Sequence, residues 1–413
     1  MISVQNHLLP LSGNKWLLFF SVALILGACS PKVQPVSTPV KKVEKPQPKP
    51  AEKPPVKPAA KVAVISMILP MGLDHVRPRN YSNAGLSQAN MSVEYYQGFK
   101  LALDSLAAQG ANFKLQLYDS KDDNSTTLGL AYHTEVRASD LIVGPVYPDG
   151  LKQFAVVMGT RMAVLSPLSP ASPATIKSNN LITAIPPLEY HAVGAAQYIN
   201  DKVKPKKIFI LRSGFSQEND YVFNFKKATD SLSNKKVKII SVIITRGKLS
   251  GLLPQLSKTE RNVFVIPATD QAFLGVTLRS LDTLNKNYPV VLFGHPSWEK
   301  FGFLKADILQ RLKTHITSSD KVNYKQEATI AFLRSYRKAY HVEPTEYAIK
   351  GFDEGLFFGR QLSEGNRNMT EIDKTDFTGI HNGFHFVKKP GLGWVNTHVN
   401  ILMYSNFELK QVE

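Results

Sequence analysis

Residues 141–166 contain two short apolar runs, Leu141-Ile142-Val143-Gly144-Pro145 and Met162-Ala163-Val164-Leu165-Ser166, on either side of a helical segment over 150–161. Each run is too short for an ordinary helix and consists mainly of aliphatic residues, which is typical of a buried strand. A Gly-Pro pair ends the first run, as expected where a strand gives way to a loop. Strand, helix and strand in this order predict a parallel β-α-β unit with helices covering the sheet.

The alternation of strands and helices continues on both sides of this unit. The predicted strands cover 61–69, 113–118, 207–212, 237–244, 262–267 and 288–294. The predicted helices cover 93–108, 127–138, 220–232, 251–258, 271–284, 325–340 and 347–365, and 383–386 and 399–404 have the pattern of hairpin strands. The order predicts an α/β fold with parallel sheets, built as two units in tandem.

The amino terminus has the pattern of an export signal. Lys15 precedes a short apolar stretch that ends at Ala28, well under the ~20 residues that a spanning helix needs. The motif Leu26-Gly27-Ala28-Cys29 resembles the bacterial lipoprotein signal, in which the cysteine is lipidated and becomes the first mature residue. We therefore predict a signal peptide over 1–28 and lipidation of Cys29; a buried core cysteine is the alternative.

Residues 29–61 are rich in proline and lysine and contain no aromatic residue. Such a segment cannot bury enough apolar surface to fold, and its prolines and like charges favour an extended tether. Because Cys29 is the only cysteine, the chain has no intramolecular disulfide and no zinc site built from several cysteines. The globular domain is predicted to begin at Val62.

The chain has a formal net charge of +17, with 50 basic and 33 acidic residues. Residues 1–61 hold nine lysines and two glutamates, so they account for +7 of this charge. The remaining +10 belongs to 352 residues that contain no run of five or more Lys or Arg. We expect this charge to be spread over a large surface, and we expect no nucleic-acid partner.

The globular part resembles the type I periplasmic binding proteins, particularly the leucine/isoleucine/valine-binding group of ABC transporter substrate-binding lipoproteins. The matching stretches are Leu117-Tyr118-Asp119-Ser120, the runs at 141–146 and 163–167, and 332–358 with Glu343-Pro344 and Gly351-Phe352-Asp353. The resemblance spans 62–413 and implies two Rossmann-like lobes joined by three crossovers, with a ligand clamped between them by hinge closure. It implies lobe one over 62–186 and 318–380, and lobe two over 187–317 and 381–413.

The resemblance also places the ligand contacts in the loops after the strands. The candidates are Tyr147, Ser166, Ser169, Ser172, Arg212, Ser213, Asp270 and Glu299. Glu299 is the candidate partner of an amino-acid ammonium, whereas Asp270 could instead cap the helix that follows it. Helix N-termini at the same ends of the strands suit a carboxylate.

Enzymatic motifs are missing from the sequence. It contains no Gly-x-Ser-x-Gly elbow, Walker loop, Gly-x-Gly-x-x-Gly or His-Glu-x-x-His motif. His381 and His385 lie on a predicted strand, where their spacing spans ~13 Å and is too wide for one ion. We therefore expect no catalysis, no cofactor and no metal.

These observations lead to two functional hypotheses. The first is a periplasmic, lipid-anchored solute-binding protein that captures a small polar ligand, such as an amino acid, for an ABC permease or for sensing. The second is an interaction module of the same fold, such as a lipoprotein that activates a penicillin-binding protein, with a cell-wall synthase as partner. The default location is the periplasmic face of the outer membrane.

Overall fold

The computed structural model describes residues 61–73, 82–160 and 162–413. The segment Ala59–Glu413 forms a compact unit of its own. The predicted signal peptide, Cys29 and nearly all of the predicted tether lie outside the described residues. Among the helices that are described, none is both long and apolar enough to cross a membrane.

Strands and helices alternate along the described chain. The first elements are β1 Ala63–Leu69, α1 Asn83–Ala107, β2 Phe113–Asp119, α2 Asn124–Leu130, α3 Thr134–Arg137, β3 Leu141–Val143, α4 Pro148–Met158, β4 Ala163–Ser166 and β5 Leu181–Thr183. Then follow α5 Leu188–Tyr198, β6 Lys207–Arg212, α6 Asn219–Leu232, β7 Lys238–Ile243, β8 Asn262–Ile266, α7 Gln271–Asn285, β9 Val290–Gly294, α8 Ala306–Arg311 and β10 His315–Ser318. The last are α9 Glu327–Tyr340, α10 Glu346–Ser363, β11 Phe377–Thr378, β12 Gly383–Phe384, β13 Phe386–Lys389, β14 Gly393–Asn396, β15 Asn400–Ser405 and β16 Glu408–Gln411.

Two seven-stranded sheets form the cores of two α/β lobes. The first sheet has the order β13-β14-β5-β4-β3-β1-β2, and the second has the order β16-β15-β10-β9-β8-β6-β7. Neighbouring strands are parallel from β2 to β14 in the first sheet and from β7 to β10 in the second. Strands β3, β5, β8 and β9 are buried at every position, which explains their continuous apolar runs. The predicted fold is confirmed.

The carboxyl-terminal segment is divided between the two lobes. Strand β14 pairs in parallel with β5 in the first sheet, where Trp394 lies opposite Ile182. Strand β15 instead pairs antiparallel with β10 in the second sheet. The assignment of all of 381–413 to lobe two is therefore wrong for 386–396, because the chain crosses to the second lobe only after Asn396.

Helices α1 and α10 pack closely through glycine residues. A Cβ atom on Gly98 would collide with the carbonyl oxygen of Ala348, and one on Gly351 would collide with the carbonyl oxygen of Tyr95. Gly355 faces Ala102 and Phe99 in the same way. This contact fixes α10, which follows the second lobe in sequence, firmly onto the first lobe.

Candidate ligand-binding cleft

Three crossovers join the lobes, at residues 184–187, 319–326 and 397–399. The first two leave the carboxyl ends of β5 and β10. The third leaves the carboxyl end of β14 and enters β15, whose antiparallel pairing starts it at the carboxyl end of β10. The carboxyl ends of both sheets therefore lie on the side of the cleft, where open α/β sheets bind ligands.

Asp119 shapes the loop after β1. Its carboxylate Oδ1 accepts hydrogen bonds from the backbone N–H groups of Met71 (2.9 Å), Gly72 (3.1 Å) and Lys121 (2.8 Å). On the other side of the loop, the Ser92 hydroxyl donates to the Pro70 carbonyl at 3.1 Å. The loop therefore leaves the sheet in a fixed direction.

Tyr147 lies at the edge of the cleft on lobe one. It occupies the N-cap position of α4, after a cis Gly144–Pro145 peptide bond, and 37% of its surface is exposed. Gly144 has a φ of 91°, and a Cβ there would collide with the Ile68 carbonyl, so the close approach requires glycine. Partial burial, with a contribution from the nearby Asp122 carboxylate, raises the pKa of Tyr147.

The three candidate serines of lobe one differ in their surroundings. Ser166 is buried at the end of β4. The Ser169 hydroxyl accepts a hydrogen bond from the Ala171 amide at 3.2 Å. The Ser172 hydroxyl donates to the Glu189 carboxylate at 2.7 Å, which links the loop after β4 to α5 of lobe two. Ser169 and Ser172 therefore already hold protein partners.

Arg212 and Ser213 of lobe two are held by Glu218, which was not among the sequence candidates. Glu218 is buried, and its Oε1 accepts from the Ser213 amide (2.9 Å) and hydroxyl (2.6 Å). The Arg212 guanidinium donates to Glu218 Oε2 at 3.4 Å and to the Asn219 side chain at 2.6 Å. An acidic residue six positions after a strand that ends at Arg212 could have indicated this partnership.

The two candidate carboxylates of lobe two also have partners within the lobe. Asp270 caps α7 by accepting from the Phe273 amide at 2.7 Å, as the capping alternative predicted. Glu299 accepts from the Ser318 hydroxyl at 2.8 Å. A ligand ammonium would have to share Glu299 with Ser318.

A buried polar cluster next to the crossovers was missed by the sequence analysis. Asp353 on α10 accepts from the Ile380 amide (2.9 Å), the His381 amide (2.9 Å) and His381 Nδ1 (2.5 Å). On the same helix, the Lys350 ammonium lies 2.9 Å from Asp320 in the second crossover. The signal was present in Lys350, Asp353 and Glu354, which interrupt the otherwise apolar stretch 347–359, because charged groups are buried only when they are paired.

The electrostatics of this cluster follow from burial and pairing. Although burial opposes it, the Lys350 ammonium holds the pKa of Asp320 below its usual range. Burial raises the pKa of Glu354 well above its usual range, and this side chain accepts from the Tyr95 hydroxyl at 2.8 Å. The cluster therefore contains a charged pair, Lys350 and Asp320, beside a carboxyl group that favours its neutral form.

Asparagine side chains connect the crossovers with each other. Asn396 donates to the carbonyl of Ala184 (2.9 Å) and to that of Gly383 (3.1 Å). Asn400, in lobe two, donates to the Asn382 side chain at 3.1 Å. These bonds join the first and third crossovers into one hinge region.

One ion pair spans the lobes beside the cleft. Lys300 in the loop after β9 lies 3.8 Å from Glu346, which starts α10 on lobe one. Both side chains are exposed, so the pair contributes little to the free energy that holds the lobes together.

Metal ligands are not assembled in the described ranges 61–73, 82–160 and 162–413, where no group of three or more His, Cys, Asp or Glu could hold an ion. His381 contacts Asp353, whereas His385 contacts a different carboxylate, Asp376, at 2.7 Å. The two histidines therefore serve separate polar contacts.

The fold resembles several solved structures. A putative branched-chain amino acid ABC transporter protein from Rhodospirillum rubrum is 13% identical, with a TM-score of 0.62, and the match covers 85% of this chain and all of that one. An ABC transporter substrate-binding protein from Desulfitobacterium hafniense in complex with Leu is 15% identical, with a TM-score of 0.53 and the same coverage. The C-domain of LpoA from Haemophilus influenzae, described as a regulator of PBP1A, is 11% identical, with a TM-score of 0.56. The match covers 85% of this chain and all of that one.

No family model and no curated protein sequence matches the chain. At these low identities the structural matches establish the fold. The chain has the type I periplasmic binding fold, with two α/β lobes around a cleft.

Proposed function

We propose that this protein is a non-catalytic binding protein of the periplasm that captures a small polar ligand, such as an amino acid, by closure of its two lobes. The observation that carries the proposal is the hinge: all three crossovers run between the carboxyl ends of two complete sheets. A ligand that contacts both lobes stabilises the closed state by its differential affinity for that state. The structural neighbour in complex with Leu suggests an amino acid as the first ligand class to test.

The charge distribution at the cleft suits a ligand carboxylate. Helices α4 and α6 begin after β3 and β6, at the carboxyl ends of the sheets, and neither has a side-chain N-cap, whereas α7 after β8 is already capped by Asp270. The partial positive charge and free N–H groups of helix N-termini favour anions. Arg212 adds a guanidinium that is paired with Glu218 but keeps 21% of its side-chain surface exposed.

The envelope location of the proposal rests on the sequence. We assign 1–28 as a signal peptide, Cys29 as the lipidated residue and 29–61 as a tether. With this assignment the domain lies in the periplasm and is attached to a membrane through the lipid on Cys29. The outer membrane is the default, and an ABC permease would be the recipient of the ligand in a transport role.

Calorimetry and thermal unfolding of the fragment 59–413 with each of the twenty amino acids test the ligand class. A ligand at 100 times its dissociation constant should raise the free energy of unfolding by about 2.7 kcal/mol. Arg212→Ala should weaken this effect, whereas Lys114→Ala on the edge strand β2 should leave it unchanged. The absence of stabilisation by every amino acid would rule out the amino-acid hypothesis.

A second function, a regulator of a cell-wall synthase, is favoured by one specific observation. Ser172, Ser213, Asp270 and Glu299 all hold hydrogen-bond partners within the domain, so fewer side chains in the cleft are free to contact a ligand. The similarity to the LpoA C-domain is consistent with this role. Binding of a purified penicillin-binding protein to fragment 59–413, with increased synthase activity, would support it; unchanged activity would contradict it.

A further inference from the structure

Three loops of the second lobe concentrate positive charge. Residues 201–207, 235–238 and 258–261 precede or begin β6, β7 and β8 and hold nine basic residues but only two acidic ones, Asp201 and Glu260. These 15 positions supply +7 of the net charge of +10 on residues 62–413. The expectation that the charge of the domain is spread over a large surface is therefore wrong.

Sheet order brings the three loops together, because β8, β6 and β7 are consecutive strands of the second sheet. Lys207 is the register partner of Lys238, and the Lys238 amide donates to the Lys206 carbonyl at 3.0 Å. The Lys206 ammonium reaches across to Glu260 at 2.9 Å. The loops thus form one surface, which we call the basic pole (residues 201–207, 235–238 and 258–261).

The basic side chains of this pole are all exposed. Ion pairs connect Lys206 with Glu260 and Lys202 with Glu413, the latter at 3.6 Å. Glu260 is already included in the excess of seven charges, and Glu413 lowers it by only one; such exposed pairs also contribute little to stability. The pole therefore has a strong positive potential, which raises the local concentration of anionic partners.

The basic pole lies at the opposite end of the strands of lobe two from the cleft. The crossovers join the carboxyl ends of the two sheets, whereas the pole lies at the amino ends of the strands of lobe two. The described domain begins at residue 61, before β1 of lobe one, so its first residues belong to the other lobe. The pole is thus a separate surface, independent of the proposed ligand site.

The composition of the pole indicates the kind of partner. Eight of its nine basic residues are lysines, which act as hydrated point charges, in contrast to the bidentate guanidinium of arginine. The three loops contain no aromatic residue that could stack on nucleic-acid bases. We propose that the basic pole docks on the headgroups of an anionic phospholipid membrane, in which diffuse negative charge is sufficient for binding.

Vesicle sedimentation with fragment 59–413, which omits the lipid-modification motif, tests this proposal. We expect binding to vesicles that contain phosphatidylglycerol, little binding to pure phosphatidylcholine, and release by salt. The triple variant Lys204→Gln, Lys235→Gln, Lys236→Gln should reduce partitioning on the order of 100-fold, since each lysine near an anionic surface contributes about fivefold.

The matched control removes three exposed charges elsewhere, with Lys114→Gln, Lys152→Gln and Lys325→Gln. It should keep at least most of the binding, and both triple variants should keep the unfolding temperature of the parent fragment. Equal loss in the two variants, or no preference for anionic vesicles, would overturn the proposal. Duplex DNA that competes with the vesicles at equal phosphate concentration would also overturn it, in favour of a general polyanion surface.

Discussion

Glu218 determines the conformation of the loop after β6 by accepting hydrogen bonds from Arg212 and Ser213. Glu218→Ala would leave the amide and hydroxyl of Ser213 without their acceptor and would remove the carboxylate paired with Arg212, which keeps its bond to Asn219. We expect a loss of about 2–3 kcal/mol in the free energy of unfolding, measured by urea denaturation. The control Glu260→Ala removes an exposed carboxylate paired with Lys206 and should cost less than about 0.5 kcal/mol. Equal effects of the two variants would contradict this role of Glu218.

His191 makes the stability of the domain depend on pH. Burial, reinforced by His295, lowers the pKa of His191 to about 4, and His191 Nδ1 lies 2.9 Å from the Thr317 hydroxyl. In the unfolded chain the imidazole of His191 takes up a proton near pH 6.5, whereas in the folded chain it stays neutral down to about pH 4. The folded state therefore loses stability relative to the unfolded state as the pH falls from 7 to 5. The loss from this residue should be about 2 kcal/mol at pH 5.

Urea denaturation at pH 7 and pH 5 measures this dependence, with His191→Gln as the test variant. His315 is also buried and His295 is partly buried, and burial lowers the pKa of each to about 4. Between pH 7 and pH 5, the variant should therefore lose less free energy of unfolding than the parent chain. Its stability should still depend on pH, because the other two histidines remain. The same loss in both proteins would show that His191 does not titrate in this way.

At the scale of elements, the contact between α1 and α10 depends on the absence of side chains at three glycines. Gly98→Ala would place a methyl group against the Ala348 carbonyl and force the helices apart. We expect it to lower the free energy of unfolding by about 3 kcal/mol. The control Gly275→Ala lies within α7, where a Cβ has open space, and should instead stabilise by about 0.5–1 kcal/mol. A neutral Gly98→Ala would mean that the helices can separate without loss of packing.

The order of the elements could be predicted from the sequence because periodicity and strand length are local properties. The partner of each carboxyl-terminal strand could not, since 383–386 and 399–404 both have a hairpin pattern, and yet β13 pairs with β14 in the first sheet and β15 pairs with β10 in the second. The candidate site shows the same limit. Loop positions such as Arg212 and Glu299 were predicted, but their hydrogen-bond partners Glu218 and Ser318 depend on three-dimensional proximity. The basic pole was missed because it combines three loops that are separate in the sequence.

For the whole molecule, the closure proposed above requires crossovers that bend and still hold the two lobes in register. Asparagine side chains tie the first crossover to the third, and Lys350 holds Asp320 of the second crossover against α10. The hinge is thus a polar region between two apolar cores. Polar contacts are directional, so this arrangement favours a small number of defined lobe orientations.

Lys350→Met tests whether the ion pair holds the second crossover. The variant keeps much of the side-chain volume but leaves Asp320, of which 24% remains exposed, without its cation. We expect a loss of about 2–3 kcal/mol in stability, less than for a fully buried pair because water reaches the carboxylate. Hydrogen exchange should accelerate first in 319–326, since that segment loses its attachment to lobe one. The control Lys374→Met removes an exposed pair with Glu371 and should change neither quantity. Uniform acceleration throughout both lobes would indicate general destabilisation, and the second crossover would then not be held in place by Lys350.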